Sequence, residues 1–207
     1  MRIHTVIVED QKMIRDILCS YVENDPDYML YESFSDASKA VDYCLNNDVN
    51  LILMDVRTEH GESGLKAAKE IKEQKPEIKI VIVTSLIDTQ VLADAKRYAD
   101  SLWYKDASQE ELMSVVKRTM EGEHVFPDAP PSAEIGFAKT TDFTKKEIQV
   151  LRYLVQGLSY NEIAKQLHVE PVTVQYHVTN MLQKTGFDNK LKLAIAVKDA
   201  KFIYEDL

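Results

Sequence analysis

Cys19 and Cys44 are the only cysteines in 207 residues, too few and too isolated for a disulfide framework or a zinc knuckle. They read as reduced thiols in a core. Glycine and proline are also scarce, six of each, which excludes collagen-like and proline-rich architectures. No aliphatic run approaches the ~20 residues that a bilayer-spanning helix needs. The N-terminus lacks a basic segment leading through an apolar stretch to a small-residue cleavage site. The expectation is a cytoplasmic protein with no membrane partner. Net positive charge is missing too: 25 Lys and Arg face 34 Asp and Glu, so the formal net charge is −9 and the whole molecule is no basic nucleic-acid coat. Residues 139–207 nevertheless hold 10 basic and 8 acidic side chains, which leaves a net −11 on residues 1–138. The two ends therefore suit different partners.

What is present is a repeated alternation of strand and helix signals. Apolar, β-branched runs at Ile3–Val8, Tyr28–Ser35, Leu51–Met54, Ile78–Val83 and Leu102–Tyr104 are each followed by a stretch with apolar residues at helical spacing. Ile14, Ile17, Leu18, Tyr21 and Val22 form the first such stripe; Leu112, Val115, Val116 and Met120 form the last. Continuous runs such as LILM suit strands covered on both faces, so the predicted architecture is α/β, a doubly wound five-stranded parallel sheet. Between residues 123 and 142 periodicity stops, and Pro127, Pro130 and Pro131 mark a linker. A helical block without strands follows, over Thr144–Gln156, Tyr160–His168, Pro171–Thr185 and Asn189–Lys201. Thr144 and Glu147 stand at capping-box spacing. The expected domains are 1–122, a linker at 123–142, and a small all-α domain at 143–207.

In an open parallel sheet, ligands bind at the carboxyl ends of the strands where strand order reverses. Here those ends carry Glu9-Asp10, Asp55, Thr84-Ser85 and Lys105-Asp106. Any one of these is an ordinary loop starter; their joint occurrence at four strand ends is not. Carboxylates so close repel unless a hard cation joins them, which suits magnesium held by Glu9 and Asp10. Asp55, the single carboxylate on the central strand, is then the nucleophile for a phosphoryl group, with Thr84 and Lys105 on the phosphoryl oxygens.

The segment 160–185 has the layout of a helix-turn-helix, with a turn at His168-Val169-Glu170 and Pro171 opening the second helix. At about 100° per residue, Val174, Val178, Met181 and Leu182 fall on the core side. Val172, Gln175, Tyr176, Thr179 and Gln183 share the opposite face, uncharged and able to hydrogen bond, while His177, Asn180 and Lys184 form a flank suited to phosphates. The last helix has two apolar faces: Leu191, Ala194 and Ile195 on one; Leu193, Ala196, Val197 and Ala200 on the other. One packs on its own domain, and the surplus face suggests either a homodimer, assigned to Leu193, Ala196, Val197 and Ala200, or a helix buried on both sides beneath the linker.

These residues resemble a known family. VIVED, LILMDVR, VIVTS and YKDA are similar to the receiver domain of bacterial two-component response regulators, a flavodoxin-like fold. FTKKEIxVL, GLSYNEIAKxL and TVxYHVxNMLxKTG resemble the LuxR-type output domain of the NarL/FixJ class. The resemblance implies that Asp55 accepts phosphate from a sensor histidine kinase. It implies that Glu9, Asp10, Asp55 and the backbone carbonyl of Arg57 hold Mg2+, and that Thr84 and Lys105 relay the switch. On the output side it implies that Thr173, Gln175, Tyr176, His177, Thr179, Asn180 and Lys184 meet double-stranded DNA. The stretch 58–64 lacks the family's usual Met-Pro step, and Leu102 stands where the family places an aromatic. Two functions share this architecture: a transcriptional regulator controlled by phosphorylation, or an atypical receiver that dimerises and binds DNA without it. Enzyme readings are disfavoured. A related aspartyl phosphatase would carry a second Asp where Arg57 stands, and a dinucleotide oxidoreductase would need a glycine fingerprint where Glu9-Asp10-Gln11 stands.

Overall fold

The computed structural model describes residues 2–61, 63–105 and 108–204. Its first half alternates β1 (Ile3–Val8), α1 (Lys12–Glu23), β2 (Tyr28–Phe34), α2 (Ala37–Asn46), β3 (Leu51–Met54), α3 (Gly64–Gln74), β4 (Lys79–Thr84), α4 (Thr89–Tyr98), β5 (Ser101–Tyr104) and α5 (Gln109–Met120). The five strands are parallel in the order β2-β1-β3-β4-β5. All four residues of β3 are buried, as its unbroken LILM run requires of a strand covered on both faces. One face of the sheet (Ile7, Leu53, Val81, Val83) packs with Leu18, Val22, Leu112 and Val116 of α1 and α5. The alternate residues Ile52, Met54, Ile80 and Ile82 are buried as well. Cys44 lies in the core with its thiol pushed up to about 12 by burial, and Cys19 is half-buried; both are free thiols.

Strand order reverses between β1 and β3, which places the crevice at Glu9 and Asp55, where a ligand is expected. The edge strand β5 is not left bare. After α5 the chain turns back so that Leu102 N–H donates to Val125 O (2.9 Å) and His124 Nδ1 approaches Asp100 O (3.0 Å). Val125 N–H donates to Ser101 Oγ (3.0 Å), and Ser101 Oγ lies 2.6 Å from Thr119 Oγ1. Thr119 spends its only hydroxyl hydrogen on Val115 O (2.7 Å), so Ser101 must donate to Thr119 and accept from Val125. The start of the expected linker is thus strapped onto the sheet.

The chain divides into two compact units, residues 1–85 with 90–129, and residues 86–89 with 130–207. The second contains a feature that periodicity did not predict, a small hairpin of β6 (Glu134–Ile135) and β7 (Ala138–Lys139). Two-residue strands are too short to register as alternation. Four helices follow: α6 (Lys145–Val155), α7 (Tyr160–Leu167), α8 (Pro171–Thr185) and α9 (Lys190–Asp199). Full capping boxes open α6 (Thr144 with Glu147) and α7 (Ser159 with Glu162), satisfying amides that a helix start leaves without partners. His168, left-handed at φ 53°, ends α7 and begins the turn into α8, whose first residue is Pro171. Among the described residues no helix is long and apolar enough to cross a membrane.

Candidate phosphoacceptor and DNA-contacting sites

The sheet brings the predicted acidic residues together. Oxygens of Glu9, Asp10 and Asp55 all lie within 4.8 Å of one another. Glu9 and Asp55 are buried, and Lys105 bridges them, its Nζ 2.5 Å from Glu9 Oε2 and 2.7 Å from Asp55 Oδ2. The remaining oxygens of that pair accept backbone amides, Gln11 N–H on Glu9 Oε1 (3.1 Å) and Val56 N–H on Asp55 Oδ1 (2.7 Å). Burial together with the charge of Asp55 pushes Glu9 up to about 7, against the pull of Lys105. Asp55 is likewise raised by burial, although Lys105 and the Val56 amide oppose it. Burial works against the Lys105 charge, but Asp55 and Glu9 outweigh it and hold its pKa above the ordinary lysine value.

Asp10 differs from its neighbours. Its Oδ1 is shut off from solvent with no hydrogen-bond partner among the described residues, a costly state for a carboxylate oxygen. An oxygen-only donor set of three carboxylates with one oxygen unpartnered fits a hard divalent cation such as magnesium. Arg57, two residues past Asp55, forms a single antiparallel bridge with Ser63 that fixes the backbone carrying its carbonyl. Thr84, fully buried, ends β4 opposite Tyr104 of β5, and its carbonyl accepts Lys105 N–H (3.0 Å). Asp106 and Glu62 lie outside the described residues. Leu102 is buried, while Trp103 points to the other face and packs against the α1 and α5 side of the core. Sequence reasoning missed Arg15, whose guanidinium donates to the carbonyls of Glu9 (2.6 Å) and Asp10 (3.4 Å) and so steadies the acidic turn. A single Arg on a helix gives no pattern that would have marked it.

On α8 the outer face is as expected: Val172, Gln175, Tyr176, Thr179 and Gln183 are exposed, while Val174, Val178 and Met181 are buried. Thr173, His177 and Asn180 are half-buried beside it, with the Tyr176 and His177 rings edge to face at 5.6 Å. Lys184 is different. Its Nζ donates to Glu147 Oε2 (2.8 Å) and Asp142 O (2.7 Å) and sits 5.3 Å from the Phe143 ring centroid, so its charge is turned inward rather than offered to a phosphate. The dimer assignment on α9 also needs correction. Leu193 and Val197 are fully buried within their own domain, and Ala196 and Ala200 are half-buried. The surplus apolar face is the other one, with Leu191 66% and Ile195 50% exposed. Both faces read alike in sequence, and only the packing of α9 against α6 and α8 selects between them.

Residues 5–117 match the family described as response regulator receiver domain, and residues 141–197 match bacterial regulatory proteins of the luxR family. The response regulator protein VraR of Staphylococcus epidermidis is 29% identical over 201 residues, covering 94% of this chain and 96% of that protein. VraR of Staphylococcus aureus is 28% identical over the same coverage. A structure of RcsB dimers bound to two parallel DNAs shares the fold at TM-score 0.62 and 17% identity, covering 96% of this chain and 98% of that one. RcsB of Salmonella typhimurium does so at TM-score 0.59, also at 17% identity and the same coverage. With the acidic crevice and the helix-turn-helix side by side in one sequence, these matches place the chain in the bacterial response regulators, as a receiver domain followed by a LuxR-family DNA-binding output domain.

Proposed function

We propose that Asp55 accepts a phosphoryl group from a sensor histidine kinase in the cytoplasm and that this event governs the binding of a homodimer to double-stranded DNA. The observation that carries the reading is the Lys105 ammonium spanning Asp55 and Glu9 beside the unpartnered Asp10 oxygen. An Asp55 carboxylate oxygen attacks the phosphorus of a phosphohistidine, the P–N bond breaks, the imidazole leaves, and an acyl phosphate remains. Lys105 is placed to follow the charge from the carboxylate to the phosphoryl oxygens, and Thr84, at the neighbouring strand end, to hydrogen bond them. Magnesium held by Glu9, Asp10, Asp55 and the Arg57 carbonyl would offset the negative charge of those oxygens. The acyl phosphate carries about −1.5 to −2 charges where the Asp55 carboxylate carried one, beside the remaining carboxylates of Glu9 and Asp10, enough to bias a two-state element.

Gln175, Tyr176 and Thr179 are the exposed candidates for base edges, with Thr173, His177 and Asn180 flanking them. Leu191 and Ile195 supply the apolar face for a second copy. Incubation with acetyl phosphate and magnesium is expected to add one phosphoryl group to the chain by intact mass, and Asp55→Asn to add none. Incorporation that persists in the variant refutes the assignment.

A further inference from the structure

The tip of the β6–β7 hairpin carries the most exposed large apolar side chain among the described residues, Phe137 at 91%. A lone exposed apolar residue is ordinary; what surrounds this one is not. The hairpin turn is Gly136-Phe137, with positive φ at Gly136 (62°) and not at Phe137, the pattern of a type II′ turn, whose second central position normally favours small polar residues. The flanking residues Ile135 and Ala138 are buried, so the hairpin is anchored through them and presents Phe137 outward. Its backbone is latched to the end of α8, where Phe137 N–H donates to Thr185 O (3.0 Å), a carbonyl that the end of the helix leaves without a helical partner.

The ring itself lies over Gly186, the left-handed residue that ends α8, and a methyl group added there would overlap its Cδ2 and Cε2 atoms. At about 100° per residue Gly186 falls on the same side of α8 as Tyr176, Thr179 and Gln183. The exposed face of α8 therefore continues without a break through a bare glycine onto an aromatic ring. From this continuity we infer that Phe137 extends the DNA-contacting face of α8, laying its ring against deoxyribose or a thymine methyl at the edge of the groove. The inference rests on the proposed role of the α8 face.

The test uses the full chain and a duplex selected by it from a random-sequence pool, titrated at several salt concentrations. Phe137→Ala is expected to weaken binding about tenfold, with the slope of log affinity against log salt unchanged, because an apolar contact releases no counterions. Phe137→Leu is expected to retain most of the affinity. Since the ring is exposed, circular dichroism should show both variants folded. The double variant Gln175→Ala, Tyr176→Ala reports on the α8 face separately. If the double variant weakens binding and Phe137→Ala does not, the inference falls and the α8 reading stands. If the double variant binds as the parent does, the α8 reading falls and takes the inference with it. If Phe137→Ala instead lowers the mass measured by sedimentation without DNA, the ring belongs to a contact between copies and the inference is likewise overturned.

Discussion

Lys184 shows how far the role of one residue depends on what lies beneath it. Its position on α8 suggests a phosphate-contacting cation, yet its partner is Glu147, whose side chain is buried. Burial alone would raise the Glu147 pKa; Lys184 and the Thr144 hydrogen bonds outweigh it and hold the carboxylate below its usual range. A depressed carboxylate stabilises the fold at pH values above the unfolded pKa, about 4.3, and that contribution is lost as pH falls through the folded value. Lys184→Met is therefore expected to cost about 1–2 kcal/mol near neutral pH, less than a fully buried pair because the lysine reaches solvent. Thermal melts should show the difference from the parent shrinking below about pH 4. The salt slope of DNA binding should not change; a slope reduced by about one would return Lys184 to the phosphate backbone.

At the scale of elements, hydrophobic period sufficed for the strands of the parallel sheet and for the α-helices among the described residues, but not for what joins them. Besides the Leu102 amide and the His124 ring, the strap at 124–125 is held by one hydroxyl, Ser101 Oγ, which links the linker, β5 and α5 in a single polarised chain. A serine at the first position of a strand carries no sequence signal of that role, since its partners lie 18 and 24 residues away. Ser101→Ala leaves the Val125 N–H and the Thr119 hydroxyl short of a partner, at about 1–2 kcal/mol. Hydrogen exchange at Val125 is expected to quicken markedly while β3 and β4 stay protected. Unchanged protection at Val125 would count against the strap. The β6–β7 hairpin escaped notice for a related reason: at two residues per strand, its existence is decided by Ile135 and Ala138 finding burial, not by their alternation.

For the whole molecule, the charge division between the two ends follows the division into a receiver domain and a luxR-family domain. The exposed Leu191 and Ile195 belong to this scale because their partner, on our reading, is a second copy. Ile195→Glu is expected to leave the chain folded by circular dichroism, since a surface substitution changes the stability of the folded domain itself by no more than about 0.5 kcal/mol. It should also convert dimers to monomers in sedimentation and remove cooperative binding to a two-half-site duplex; dimers that survive it would move the interface elsewhere. The linear order of residue types determined the sheet, the helix-turn-helix and the strand ends where Glu9, Asp10, Asp55, Thr84 and Lys105 stand, because period and strand-end placement are local properties of a chain. Only tertiary packing decided that Lys105 bridges Asp55 and Glu9, that Lys184 turns inward and that α9 buries Leu193 in place of Leu191. Each of those outcomes depends on groups distant in sequence competing for the same partner or the same shelter from water.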